Sequence, residues 1–510
     1  MPRQPTRRHF LQTAATAGAV LSLGEWAALW PLSPVTAAEA TVTPDLVRFS
    51  PEIEPLVRLI EKTPREKCPV MMIEQLRKGL PYRNFLAALF LANIRNLGVG
   101  HPLAVLHSTN QLTLDAPVQE RLLPTFWALD SFKFLQQRDQ GWRWLKPLTG
   151  VLPSPAAAEA ELHAGMKAFD PDRAERAIVV LTRSQGAARV IEPLWHYGAR
   201  DWFFIGHFAI WVGNTWRTLE TIGWQHAEPT LRVLAPTLIG TGGDWKPLKD
   251  QPYAANCERV EKTIGELPAD WAQDGSNPGL TDELLVLIRE LKTEEACQLA
   301  LTLLLEGKAK AGAVWDAVHL AAAEMIFNKP YDGGCALHSN TCSNALHYAF
   351  QVSADPANRL LVLLQAVGWM CLYRGCVAGE GLQEPKDLTK IAGADIPDDP
   401  ETAVEEILSI HSVSSHSSPR PDEAASKAFT FAQRYPGSDL LRRAAGRLLP
   451  LKSSWNPHDI KFPVAMFEKY AWVSPQWRPH LLAATVFSLK GKDDPINTVV
   501  HQVREAIRML

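Results

Sequence analysis

Ala313-Val314-Trp315-Asp316-Ala317-Val318-His319-Leu320-Ala321-Ala322-Ala323-Glu324-Met325-Ile326-Phe327 decides the fold class. Its apolar residues return at the 3.6-residue spacing of a helix, and Asp316 and His319, three apart, share one face. The same spacing recurs at 82–96, where Phe85, Leu86, Leu89, Phe90, Ala92 and Ile94 are apolar, and at 171–184, 203–222, 281–306, 358–373 and 422–435. Asp170-Pro171-Asp172 and Thr281-Asp282-Glu283 read as helix starts, with a capping oxygen and early acids. No run of β-branched residues alternates with period two between turns. The expectation is an all-α, multi-helical fold.

Breaks divide the helices. Residues 240–253 hold Gly240-Thr241-Gly242-Gly243-Asp244 and two prolines, 377–400 are rich in Gly, Pro and Asp, and 412–421 form a Ser/His/Pro tract. The expected organisation is a leader at 1–40, a helical region at 41–239, a loop-rich connection at 240–280, a helical region at 281–376, a loop at 377–421 and a C-terminal helical region at 422–510.

Within these regions a faint repeat emerges: a His-containing turn, then an Asn, then an apolar helix. Gly100-His101-Pro102 leads through His107 to Asn110; Gly206-His207-Phe208 leads to Asn214; Leu337-His338-Ser339 leads to Asn344. The starts are too far apart for a short solenoid and suggest larger helical units, each burying its apolar face on the next. Packed around a common axis, such units would enclose a central cavity lined by His and Trp.

The chain has 510 residues, enough for two or three domains, with 46% hydrophobic and 21% charged residues. Its 52 basic and 55 acidic residues leave a net charge of −3, which argues against nucleic acid as a partner. The apolar content argues against disorder. Trp (17) and His (15) are conspicuous beside 8 Tyr.

Imidazole suits iron, copper or zinc and proton transfer near neutral pH. His101, His107 and His207 are the candidate metal ligands, with His338 and His347 at comparable places. His338 and His347 are nine apart, so one straight helix would not present them on the same face. H-E-x-x-H and the E-x-x-H of di-iron bundles are absent, and a transition metal and a metal-free His/Asn pocket both remain open. Glu192 and His196 are four apart, but Pro193 between them suggests a helix start. Trp211, Trp216, Trp315 and His226 are candidate walls for a flat ligand. No Walker loop, G-x-G-x-x-G or G-x-S-x-G is present.

Thr6-Arg7-Arg8-His9-Phe10-Leu11, a moderately apolar run and Ala38-Glu39-Ala40 resemble a twin-arginine export signal. That resemblance implies an exported, periplasmic protein, with the twin-arginine translocase as a transient partner and no membrane association once the signal is removed. Seven cysteines without C-x-x-C argue against a complete disulfide framework. Cys335 with Cys342, and Cys371 with Cys376, could each close a loop; buried free thiols are the other reading.

Ala313 to His319, then Ala336-Leu337-His338-Ser339-Asn340-Thr341, Asn344-Ala345-Leu346-His347 and the apolar 360–369 with Gln365-Ala366, resemble the questin oxidase-like family over about 60 residues. That family is helical and includes an oxygenase that cleaves a polycyclic aromatic ketone with a reduced nicotinamide. The resemblance implies pocket roles for His319, His338 and His347, and NADPH as cofactor. The functional expectation is an exported oxidoreductase, an oxygenase of an aromatic or apolar small molecule. In it His319, His338 and His347 act as acid/base groups or ligands and Asn344 orients substrate. The alternative is a non-enzymatic helical-repeat binding or scaffold protein of the periplasm.

Overall fold

Four helices that begin at or near a histidine pack into a closed ring. They are α2 (His101–Asp115), α3 (His207–Ile222), α5 (Cys335–Val352) and α7 (His458–Trp472). α2 packs on α3, α3 on α5, α5 on α7 and α7 on α2. All four carry their histidine in the first turn and these histidines meet, so the helices run parallel. Parallel neighbours need a returning segment between them. Leu123–Arg138, Ala227–Thr237, α6 (Pro356–Gly379) and Arg478–Thr485 follow the ring helices in turn, and each packs on the ring helix before it. α1 (Tyr82–Asn96) lies against α2 and α3, and α4 (Ala311–Asn328) against α5 and α6.

The computed structural model describes residues 47–138, 145–202, 205–239, 252–329, 334–379, 385–410 and 421–509. Among them are 22 α-helices and no strand, as the apolar spacing requires. Residues 48–510 make one compact unit. The leader, Trp142, Trp144, Gly240 to Gly243, His411 and His416 lie outside the described residues.

A helix apolar on all sides belongs in a core. α4 and α5 are buried along nearly their whole lengths, and Trp315 and Trp369 are among the largest fully buried side chains. α6 is long and apolar enough to cross a membrane, and 83% of its most apolar window is buried within the fold.

Several local expectations are corrected. Residues 281–306 form two helices, Pro278–Arg289 and Thr293–Leu305, separated where Leu291 adopts φ +61°. The first starts earlier than the acids suggest, because Asn277 Oδ1 accepts the Leu280 N–H at 3.2 Å. Pro193 lies inside Ala187–Gly198 rather than at a helix start. The connection at 240–280 contains Tyr253–Thr263, and the loop at 377–421 contains Pro400–Ile410, both stabilised by packing that short-range composition does not reveal. Cys335 is bonded to Cys376, across 41 residues, with Cα atoms 6.2 Å apart. Neither of the two short-loop pairings forms, and the free-thiol reading holds for the other five cysteines. α5 and α6 run antiparallel, bringing the start of one beside the end of the other, while Cys342 and Cys371 are buried thiols.

Candidate metal centre

His101, His207 and His458 open their helices, and His338 is one turn into α5. Helix N-termini place side chains at the rim of a bundle, so four parallel starts converge on one point. His101 Nε2 lies 3.2 Å from His207 Nε2, and His338 Nε2 lies 3.3 Å from His458 Nε2. Ring centroids are 4.8 Å apart for His101 and His207, 4.4 Å for His207 and His338, 5.1 Å for His338 and His458, and 4.4 Å for His458 and His101. The four imidazoles thus close a square. Nitrogens of His101, His207 and His338 all lie within 4.8 Å of one another.

The outer nitrogens are held. His338 Nδ1 donates to the Gly334 carbonyl at 2.8 Å, leaving an Nε2 lone pair facing inward. His458 Nδ1 lies 2.9 Å from Asn456 Oδ1, which also accepts the His458 backbone N–H at 3.1 Å, so Nδ1 again is the donor. His101 Nδ1 lies 3.0 Å from Lys461 Nζ, and it is the neutral Lys461 amine, accepting from Nδ1–H, that leaves the His101 Nε2 lone pair facing inward. Such outer contacts fix the tautomer and ring plane of metal-binding histidines.

Two inward lone pairs in contact repel unless a proton or cation lies between them. Two imidazole nitrogens bound to one metal at about 2.0–2.1 Å stand about 3.0–3.4 Å apart, which matches both observed separations. Burial, with Lys461 and the neighbouring rings, holds His101 and His458 far below the usual histidine range and brings His338 down to about 2. All three are therefore neutral, the state a ligand needs. Burial lowers the Lys461 amine to about 7. The donor set fits a transition metal: four imidazoles suit iron, copper or zinc far better than calcium or magnesium.

A cavity of about 920 Å³ opens beside His458. Leu337, Trp455, Phe462 and Phe487 supply apolar walls, and Asn456 stands at the histidine. Of the charges on its wall, Lys490 pairs with Asp459 at 3.0 Å and Arg65 with Asp130 at 2.6 Å, and Glu66 and Lys452 also line it.

A second polar layer joins the same four helices. Glu468 of α7 accepts from His107 Nε2 of α2 at 2.9 Å, from Arg217 Nη1 of α3 at 3.2 Å and from Asn344 Nδ2 of α5 at 2.8 Å. Arg217 Nη1 also donates to Asn344 Oδ1 at 3.0 Å. Burial would raise the Glu468 carboxyl, but Arg217, His107 and Asn344 outweigh it and bring it down to about 2. Burial keeps His107 neutral. The contact is a neutral N–H on a carboxylate.

His319 and His347 form a third group. His319 Nε2 lies 2.7 Å from His347 Nδ1, Trp315 stacks on His347 at 4.2 Å and 6°, and the Trp472 ring is 4.9 Å away. These groups lie on the side of α5 opposite His338, as nine-residue spacing requires.

The structure therefore brings together three of the singled-out residues, His101, His207 and His338, and divides the others. His107 and Asn344 belong to the Glu468 layer. His319, His347 and Trp315 form the buried stack. Trp211 flanks the square, 5.5 Å from His207. Trp216 packs between Trp195 and Trp224, and His226 Nε2 lies 3.4 Å from Gln225 Nε2. His458, Lys461 and Glu468 were missed. Asn456-Pro457-His458 opens an apolar helix, as His101 does beside Pro102, but lacks the following Asn that marked the other turns. The imidazole at a helix start was the signal.

No protein-family model, curated protein or solved structure matches this chain.

Proposed function

We propose that His101, His207, His338 and His458 hold a transition metal in an oxidoreductase, an oxygenase whose aromatic or apolar substrate occupies the cavity beside His458. One observation carries the reading: imidazoles from four helices face one another with Nε2 atoms paired at 3.2 and 3.3 Å, and the three of them that burial keeps neutral have their outer nitrogens engaged by Gly334, Asn456 and Lys461. A bound redox metal would supply the activation of dioxygen. The protein contributes the rest. Leu337, Phe462 and Phe487 exclude water and bind an apolar face, Trp455 offers a flat surface, and Lys461 holds or releases a proton beside His101 Nδ1. The charges on the cavity wall balance, Arg65, Lys452 and Lys490 against Glu66, Asp130 and Asp459, which favours a ligand without net charge.

The resemblance of 313–369 to the questin oxidase-like family supports an oxygenase and extends the reading to a reduced nicotinamide as electron donor. The Arg7-Arg8 leader supports export to the periplasm, and the recurrent helix, His-helix, helix order supports descent from a repeated unit. The test is metal analysis of the full chain, purified without chelator, followed by titration with iron(II), cobalt(II), copper(II) and zinc(II). Stoichiometric binding that is lost in His101→Ala and His458→Ala is expected. A folded chain that binds none of the four ions overturns the reading.

A further inference from the structure

The end of α6 holds the starts of two ring helices. Tyr373 and Cys376 are three residues apart and so share one helix face. Tyr373 OH donates to the Ile205 carbonyl at 2.6 Å. Ile205 (φ +43°) and Gly206 (φ +71°) make the left-handed turn that delivers His207. One turn further along, Cys376 is bonded to Cys335, the first residue of α5. Gly334, at the cap position of α5, is the residue whose carbonyl fixes His338 Nδ1. Gly334, the cap residue, has no side chain of its own to hold that helix start.

The first N–H groups of a helix have no intrahelical partner, so its first turn is the part that frays most readily. Here fraying would carry the Gly334 carbonyl away from His338 and free its ring to turn. The disulfide opposes this by fastening the adjacent residue to a helix anchored elsewhere. Arg374 Nη1 donates to Glu324 of α4 at 3.4 Å, and Gln365 Nε2 donates to the Ala199 carbonyl at 2.7 Å.

We propose that the Cys335–Cys376 disulfide is a positioning element of the histidine centre, holding His338 with Nε2 directed at the site. This rests on the metal reading given above. Reduction by a dithiol breaks the Sγ–Sγ bond. Two electrons and two protons pass to the cysteines, and the dithiol closes to its own cyclic disulfide. The two thiols then separate, and His338 loses its fixed tautomer while the other three imidazoles keep their supports.

The test uses the full chain in three forms: oxidised wild type, wild type reduced with dithiothreitol and freed of it without air, and Cys335→Ser/Cys376→Ser. Cobalt(II) titration, read by visible absorption, is expected to show affinity about 10- to 100-fold lower in the last two forms. Altered ligand-field bands and an unchanged far-UV circular dichroism spectrum are expected with it. Equal affinity and identical bands in all three forms overturn the positioning role and leave the metal reading standing. If the oxidised chain binds no cobalt, the metal reading falls. Positioning is then decided by the ¹⁵N shifts of His338 in the metal-free chain. A shift from Nδ1–H towards a tautomer mixture on reduction supports it, and unchanged shifts overturn it. The gently reduced wild type keeps the test decisive if the double variant fails to fold.

Discussion

His101 Nε2 and His207 Nε2 lie 3.2 Å apart although 106 residues separate them. Nothing local enforces that contact. It follows from two parallel helices that both begin with the histidine, and His338 and His458 complete the square in the same way.

Removing a histidine of the square should weaken metal binding far more than it weakens the fold. His207→Ala is expected to lower cobalt(II) affinity by at least the 10- to 100-fold that loss of an outer-shell partner costs, or about 100-fold and more. The three imidazoles that remain are neutral, so none of them is left as an unpaired buried charge. Titration calorimetry beside a thermal melt separates the two effects. Equal affinity in variant and wild type would place the metal elsewhere.

Glu468 should behave in the opposite way. Its carboxylate accepts from three other ring helices, so Glu468→Ala leaves Arg217 inside the fold without its anion. Breaking a buried ion pair on one side costs about 3–5 kcal/mol. Glu468→Gln, which keeps an acceptor, should cost less. Urea denaturation measures both, and a Glu468→Ala loss below about 1 kcal/mol, the range of exposed ion pairs, would show the layer to be solvated.

The helices were legible because apolar spacing is a local property: Ala313 to Phe327 and Tyr82 to Asn96 stand where the pattern puts them. The turns at His101, His207 and His338 were legible as a recurrence, and three of the four histidines of the square came from it. The grouping of His338 with His319 and His347 was not sound for this site. Helix periodicity turns His347 to the far side of α5, where it meets α4 and Trp472. His458 was invisible to a pattern that demanded a following Asn. Lys461 and Glu468 acquire meaning only from side-chain hydrogen-bond partners more than 100 residues away in the chain. The Cys335–Cys376 pairing likewise depends on how α5 and α6 lie together, which cysteine spacing does not encode.

Gly206 tests the turn that delivers His207. Its φ is +71°, and a Cβ there would collide with Cys342 Sγ and Tyr373 OH. Gly206→Ala therefore combines left-handed strain with overpacking, each about 1–3 kcal/mol. A thermal melt should show the loss. Cys342→Ala in the same chain should recover part of it by making room, while the strain at φ remains. No recovery would mean that backbone strain and the Tyr373 OH contact, which Cys342→Ala leaves in place, set the cost.

Acid should destabilise the fold from near neutrality through its buried histidines, those of the His319–His347 stack among them. Burial, then Lys469 and Arg217, bring His347 down to about 3, against about 6.5 when unfolded. Between those values the unfolded chain binds a proton that the native chain refuses, so stability falls as pH falls, by up to about 1.4 kcal/mol per pH unit for one such residue. Below about 4.5 Glu468 adds to the loss, because its native carboxyl stays ionised down to about 2 while the unfolded one takes up a proton. His347→Gln removes the first contribution without introducing a charge. Melting temperature measured from pH 7 to pH 4 should therefore decline less steeply in His347→Gln than in the wild type, whatever the offset between them at pH 7. Parallel slopes in the two proteins would mean that His347 titrates normally in the native state and that the Trp315–His347 stack admits water.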